Sequence, residues 1–257
     1  MRIISWNVNG LRSVYKKGSI QPLLDHGLDI ICLQETKSSP EQLPDDLRDP
    51  SHFQAIFSSS KIKKGYSGVV TYSHVDAGDI AHGFGIPEFD EEGRIVKTDI
   101  SSDIALLNIY FPNGKQSPER LDYKLRFYDA TLDYIAQLKK QGQSTILCGD
   151  VNTAHQPIDL KHPKENEKTS GFLSIERAWI DRLLANGFID VFRHHHPTLE
   201  NAYTWWDMKT GARSRNVGWR IDYFFASDKI INKIVNSAIH PDIMGSDHCP
   251  ISIELNL

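Results

Sequence analysis

The sequence predicts an α/β protein whose sheets are covered on both faces. Eight short runs rich in β-branched residues read as strands, and most are too continuously apolar for a sheet with one wet side. An amphipathic segment between two of those runs reads as a helix packed against them. The chain has 257 residues, 40% of them hydrophobic, which is enough for a substantial core. No linker, repeat or low-complexity tract divides it, so residues 1–257 are expected to form a single domain.

The strand runs, in chain order, are RIISWN (2–7), DIICLQE (29–35), GVVTYS (68–73), RIVKTDI (94–100), IALLNIYF (104–111), STILCGDVN (144–152), RIDYFFAS (220–227) and PISIEL (250–255). The clearest helix begins at Ser117-Pro118-Glu119, where a cap residue, a proline at the first helical position and an acid in the first turn coincide. Its apolar residues Leu121, Leu125, Tyr128, Leu132 and Ile135 alternate spacings of four and three, which predicts one buried stripe. A second helix is expected over 174–186, closed by Asn186-Gly187. Residues 153–172 carry two prolines and no periodicity, so they read as a long loop of the kind that is usually functional or disordered. His194, His195 and His196 lack helical spacing and follow a short strand, and read as polar loop rather than a metal site.

The informative pattern lies at the strand ends. The first run stops at Asn7, with Asn9 two residues on, and the second stops at Glu35. The fifth carries Tyr110 near its end and is followed by Asn113, and the sixth ends in Asp150 and Asn152; Asp222 lies inside the seventh, and Asp247 and His248 precede the last. One such residue would reflect only turn chemistry. Six segments delivering carboxylates, amides, a phenol and an imidazole predict strand ends that converge on one spot. Oxygen donors with a single imidazole suit Mg²⁺ or Mn²⁺ rather than zinc. There is no Gly-x-Ser-x-Gly elbow, Walker loop or Gly-x-Gly-x-x-Gly fingerprint. The pattern therefore favours metal-assisted hydrolysis over acyl transfer or nucleotide-cofactor chemistry.

Net charge is −4, which argues against a general polyanion binder but leaves room for local basic clusters such as Lys61, Lys63 and Lys64. Cys32, Cys148 and Cys249 each lie in or beside an apolar run, and no Cys-x-x-Cys occurs. Buried reduced thiols are expected, in a cytoplasmic protein or, in a eukaryote, a nuclear one. No leader precedes RIISWN and no apolar run approaches the ~20 residues of a membrane span, so a soluble protein that is not secreted is expected.

The blocks SWNVNGLR, LQETK, GYSGV, YFPNG, CGDVNTAH, NVGWRIDYFF and GSDHCPI, in this order and over essentially the whole chain, resemble the exodeoxyribonuclease III family of abasic-site (AP) endonucleases. The shorter blocks also occur in the wider superfamily of DNase I-like nucleases, inositol-polyphosphate phosphatases and sphingomyelinases. NVGWRIDYFF with GSDHCP points to the DNA-repair branch. The resemblance implies a four-layer α/β sandwich, with two mixed β-sheets face to face and helices on both outer faces. It implies Mg²⁺-dependent hydrolysis, with Mn²⁺ as a substitute, of the phosphodiester 5′ to an abasic site in duplex DNA. Exonuclease activity (3′→5′), 3′-end trimming and a monomeric state are implied with it. In the family's pattern Asp222 and His248 pair beside the scissile phosphate, and Glu35 is the principal metal ligand, with Asn7, Asn9 and Asp247 around it. Asp150 positions or deprotonates the attacking water, Asn152 orients it, and Tyr110 and Asn113 contact phosphate. One or two metals are both compatible with this pattern.

Trp205, Trp219 and Ile221 match the lining of the family's abasic pocket. Arg12, Lys37, Tyr66, Arg94, Arg120 and Asn166 match phosphate contacts, which fix position rather than sequence. Gln116 and Lys209 stand where the family inserts side chains into the kinked duplex, with neighbouring Lys115 and Met208 as alternatives. Asn9 replaces an Asp of other members and Thr169 an Asn. These departures bear on substrate range, including incision at damaged or uracil-containing nucleotides. A phosphatase of lipid headgroups or inositol phosphates is disfavoured by the tryptophans and the Arg-rich 213–220 segment. A decayed, non-catalytic binding module is disfavoured by the competent residue at each expected catalytic position.

Overall fold

The computed structural model describes residues 1–25 and 27–257. Strands β1 (Arg2–Asn7), β2 (Ile30–Gln34), β3 (Gln54–Ser58), β4 (Val69–Ser73), β13 (Ile234–Ile239) and β14 (Ile251–Leu255) form one sheet in the order β13-β14-β1-β2-β4-β3. Strands β5 (Ile80–Ala81), β6 (Ile95–Ser101), β7 (Ile104–Ile109), β8 (Ser144–Asp150), β9 (Phe188–Asp190) and β12 (Asp222–Ser227) form a second, in the order β5-β6-β7-β8-β12-β9. Each sheet is mixed: β1–β2 and β7–β8 are parallel, and the other pairs are antiparallel. A small ribbon joins β10 (Trp205–Trp206) to β11 (Gly218–Trp219).

The sheets face each other across Ile3, Ile30, Cys32, Ile104, Leu106, Ile146, Cys148, Phe224, Ile251 and Ile253. Alternate residues of the same strands serve the outer layers. Trp6, Leu33 and Tyr72 pack with Leu11, Val14 and Leu47 from short helices on one side. On the other, Phe127, Tyr128, Trp179 and Ile180, from the helices Pro118–Lys140 and Ser174–Ala185, cover Ala105, Leu107, Leu147 and Phe225. Every residue of β2, β4 and β7 is buried, which is why these strands read as unbroken apolar runs. The four-layer sandwich expected from the sequence is what is observed.

Several expectations need correction. Strands β3, β5 and β13 were not anticipated because they lie at sheet edges, where one side need not be apolar. The buried face of the long helix runs through Lys124, Phe127, Tyr128, Thr131, Ile135 and Leu138, while Leu121, Leu125 and Leu132 flank it half-buried. Residues 153–172 are not a structureless loop. They contain short helices at Pro157–Asp159 and Pro163–Asn166 and bury Thr153, His155 and Asp159. His194 and His195 end a helix, Val191–His195, rather than lying in a loop. The Asp190 side chain caps that helix by accepting the Arg193 N–H at 3.2 Å.

One buried ion network fixes the segment that leads into β12. Arg220, 1% exposed, donates to Asp159 at 2.8 Å and to Asp190 at 2.6 Å, and Arg193 reaches the same Asp159 oxygen at 2.6 Å. Burial pushes the Asp159 carboxyl up, but the two guanidiniums outweigh it and bring it down from 3.8 to about 2. A carboxyl depressed on folding stabilises above its usual pKa, and that contribution disappears as pH falls through the folded value. It is worth about 2 kcal/mol. The thermal midpoint is expected to fall steeply between pH 4 and 2, and Asp159→Asn should flatten that slope while lowering the midpoint at pH 7. Calorimetry on both proteins checks this; an acid slope unchanged by the substitution contradicts it.

Candidate active site

The two-residue period of the strands explains how polar groups collect at one end of the inter-sheet layer. Along β1 the inner face carries Ile3, Ser5 and Asn7; along β2 it carries Ile30, Cys32 and Gln34; along β8, Ile146, Cys148 and Asp150. Strand β12 runs the other way, so Asp222 at its start lies opposite Asp150 at the end of β8. Between the apolar and charged zones, Gln34 donates to Ser5 Oγ of its own sheet at 3.0 Å and to Asn108 Oδ1 of the other at 2.8 Å, the second bond stitching the two sheets together. Gly149 is required beside Asp150: a Cβ there would lie 2.0 Å from the Ile109 carbonyl oxygen.

At the charged end, Asp150 accepts from Asn7 Nδ2 at 2.9 Å, from the Asn152 backbone N–H at 2.8 Å and from Asn152 Nδ2 at 3.1 Å. His248 Nδ1 donates to Asp222 at 2.9 Å, and Nε2 lies 3.9 Å from Asp150. Asn113 Nδ2 donates to Asn152 Oδ1 at 2.9 Å. Asn7 Nδ2 also reaches Glu35 at 3.1 Å, so a single amide spans two carboxylates. Asp247 accepts from Asn9 Nδ2 at 2.8 Å and from the Trp205 indole N–H at 3.0 Å.

The backbone is strained where these residues sit. Asn9, Glu35, Lys37 and Asn152 all adopt positive φ, between 44° and 56°. Asn tolerates that region, but Glu and Lys rarely enter it. Surrounding hydrogen bonds hold the turns, among them Gly10 N–H to the Glu35 carbonyl at 2.8 Å and Lys37 N–H to the Ser67 carbonyl at 2.8 Å. Such strain persists only where the neighbouring structure over-determines it, and it clusters at functional sites.

Electrostatics divides the roles. Burial alone would discharge His248, yet Asp222 and Asp150 hold its imidazolium up to about 10. Burial raises the Asp150 carboxyl to about 7, with His248 opposing and Asp222 adding to the rise. Burial raises Asp247 too, but the His248 charge and the Asn9 and Trp205 donors bring it below its usual value. Tyr110 is held well above 10, chiefly by burial and then by Glu35.

A cleft of about 370 Å³ opens on this cluster. One side holds Asp150, His248, Asp247, Glu35 and Tyr110; the other holds Trp205, Trp219 and Ile221, which pack with Phe172 and Leu160. Lys115 lies over both indoles, 5.2 and 5.6 Å from their ring centres. Lys37 Nζ sits 2.9 Å from Glu35 and 2.5 Å from Asn9 Oδ1, so these oxygens already surround one positive charge. Hard oxygen donors arranged in this way fit a divalent cation. The nearest ligand atoms of Asp150, Asp222 and His248 lie within 4.8 Å of one another, so this buried cluster could also bind a metal. With Nδ1 spent on Asp222, however, His248 serves better as a cation than as a ligand.

The other expected contacts divide by exposure. Arg12, Gln116, Met208 and Lys209 are exposed, and Asn166 is half-buried, with its Nδ2 on the His162 carbonyl at 2.8 Å. Arg94 departs from expectation as a phosphate contact. It is 2% exposed, and it donates to Glu92, the Tyr66 hydroxyl and the Tyr110 carbonyl, so it holds Tyr110 in place instead. Arg120 and Tyr66 join the same network, with Arg120 donating to Glu92 at 2.7 Å and to the Tyr66 hydroxyl at 2.7 Å. Lys124 and Glu176, behind the cleft, were missed. The signal was present, because Lys124 occupies the position three before Phe127 and four before Tyr128 on the buried helix face.

The model of the Endonuclease/Exonuclease/phosphatase family matches residues 4–248. The chain is 43% identical to an exodeoxyribonuclease of Bacillus subtilis, over the full length of both. It is 39% identical to a DNA-(apurinic or apyrimidinic site) endonuclease of Dictyostelium discoideum, covering 100% of this chain and 71% of the relative. Among solved structures, the 3′ phosphatase NExo from Neisseria bound to product DNA hairpin superposes with a TM-score of 0.90 at 26% identity, over all of both chains.

Removing the Asp222 charge by Asp222→Ala should lower the His248 imidazolium by about 2 pH units, since the anion that favours the cation is gone. Proton NMR titration of the ring checks this, and an unmoved midpoint contradicts the pairing.

Proposed function

The chain belongs to the endonuclease/exonuclease/phosphatase family, and from that premise we propose a DNA-repair nuclease. It hydrolyses the phosphodiester 5′ to an abasic site in duplex DNA and degrades or trims 3′ ends. The observation that carries this reading is the shared cleft, where a buried Asp150–His248–Asp222 cluster faces an apolar wall of Trp205, Trp219 and Ile221. The names of the relatives support it: an exodeoxyribonuclease, an apurinic or apyrimidinic site endonuclease, and a 3′ phosphatase seen with DNA.

In this reading the indole wall receives an extrahelical sugar that carries no base. Asp150 accepts the proton of the attacking water, and a carboxyl brought up to about 7 is a base matched to neutral pH. Asn7 and Asn152 keep its oxygens aimed. Protonated His248, oriented by Asp222, points Nε2 at the phosphoryl oxygens as negative charge builds there. Tyr110, kept protonated by burial, and Asn113 donate to the same group. Mg²⁺, or Mn²⁺ in its place, suits the oxygens of Glu35, Asn7, Asn9 and Asp247, and when bound it would offset charge on the phosphate. Arg12, Lys37 and Lys115, with the exposed Gln116 and Lys209, meet the duplex. Residues 1–257 act as one monomeric catalytic unit in the cytoplasm, or in the nucleus of a eukaryote, which fits three buried free thiols.

Asp150→Asn should keep the fold and lose on the order of 10²–10⁴-fold in kcat on a duplex with one abasic site. Removing Mg²⁺ with a chelator should abolish cutting by the wild type, and adding it back should restore it. Near-normal turnover by the variant, or cutting that ignores the chelator, rejects the assignment. Trp219→Ala should raise KM for the abasic duplex more than it changes kcat. Uracil-containing and intact duplexes in the same assay show whether the wall admits a nucleotide that still carries its base.

A further inference from the structure

Lys124 and Glu176 are both 0% exposed, and their charged atoms lie 2.6 Å apart. Taking two ions out of water is costly, and a buried pair adds little net stability over apolar residues of similar size. Its partners show a more specific use. Lys124 Nζ donates to the Asn152 carbonyl at 2.8 Å and to Thr153 Oγ1 at 2.9 Å. Glu176 accepts from Ser170 Oγ at 2.8 Å, from Gly171 N–H at 2.6 Å and from Leu173 N–H at 3.1 Å. The pair therefore ties together two segments that both reach the cleft, where Asn152, Ser170 and Gly171 are part of the lining.

The backbone at these positions shows what is being held. Asn152 has φ 56°, and it is the residue whose backbone and side chain both donate to Asp150. Gly171 has φ 101°, and a Cβ there would meet the Trp219 ring at 3.3 Å and the Asn152 carbonyl oxygen at 3.4 Å. It is wedged between the aromatic wall and the residue that aims the base. Asn and Gly both tolerate positive φ, so these turns are accessible, and their neighbours decide that they are held.

We propose that the Lys124–Glu176 pair is a positioning device for the nuclease reaction, a rigid brace that sets the Asn152–Asp150 segment and the Ser170–Gly171 wall of the sugar pocket in mutual register. This rests on the nuclease reading above. The brace acts only through its neighbours, from behind the cleft.

The test uses Lys124→Met and Glu176→Gln, singly and together, in the full chain. Four quantities are measured: the thermal midpoint, amide exchange at residues 170–173, and kcat and KM per folded molecule on a duplex carrying a tetrahydrofuran abasic analogue. Each single variant should speed exchange at Gly171 and Leu173 and lose on the order of 10²-fold in kcat/KM. The double variant should regain thermal stability, because no unpaired charge is left buried, without regaining kcat/KM. Lys124→Arg, which keeps the cation and its donors, should recover much of the activity lost by Lys124→Met. If the single variants fail to fold, the double and arginine variants carry the test. A double variant with wild-type kcat and KM overturns the proposal, as does a folded Lys124→Arg no better than Lys124→Met. A wild-type protein that leaves the abasic duplex uncut sinks the nuclease reading instead; exchange in the double variant then decides the brace alone, faster exchange supporting it and wild-type exchange overturning it.

Discussion

A single protonated imidazole set among buried carboxylates is the interaction on which the rest depends. Asp150 and Asp222 are both nearly sealed from water, at 1% and 3% exposure, and opposite each other on adjacent strands. Two anions so placed would repel strongly in a poorly polarisable interior. His248 relieves this by pairing with Asp222 directly and standing 3.9 Å from Asp150. The imidazole is anchored in turn: the Trp6 indole N–H donates to the His248 carbonyl at 3.1 Å, and Ser246 Oγ accepts the His248 N–H at 3.2 Å.

The double sheet makes that arrangement affordable. Strands that alternate inward and outward can carry an apolar core for most of their length and still deliver a polar side chain at the last inward position. Two sheets doing this from opposite sides give a graded layer, hydrophobic at one end, amide-bridged by Gln34 and Asn108 in the middle, and charged at the other. The gradation matters chemically, because a carboxylate bordering the apolar core is raised in pKa while its neighbours at the cleft remain wet enough to hold a cation.

Behind the cleft, ion pairs do for the loops what strand pairing does for the sheets. Arg220 with Asp159 and Asp190 holds the segment from Trp219 to Asp222. Arg94 and Arg120, paired with Glu92 and stacked on Tyr110 and Tyr123, fix the phenol side. These arginines would look from composition like a surface for a polyanion. Several are instead interior struts, and the exposed positive charge falls to residues such as Arg12, Lys115 and Lys209.

The sequence by itself determined the layered α/β class and the identity of most of the polar residues that gather in the cleft. Continuous apolar runs imply strands with two covered faces, and residues such as Asn7, Glu35 and Asp150 stand out at their ends because six such ends together exceed what turn chemistry accounts for. Only the tertiary structure decided which of these touch. The pairing of Asp222 with His248, the register that sets Asp150 against Asp222, and the commitment of Arg94 to Glu92 all join residues distant in the chain or turn on burial. The same holds for Lys124 and Glu176: a lysine in a helical stripe can hide among apolar neighbours only if a partner 52 residues away arrives to meet it, and no local pattern records that arrival.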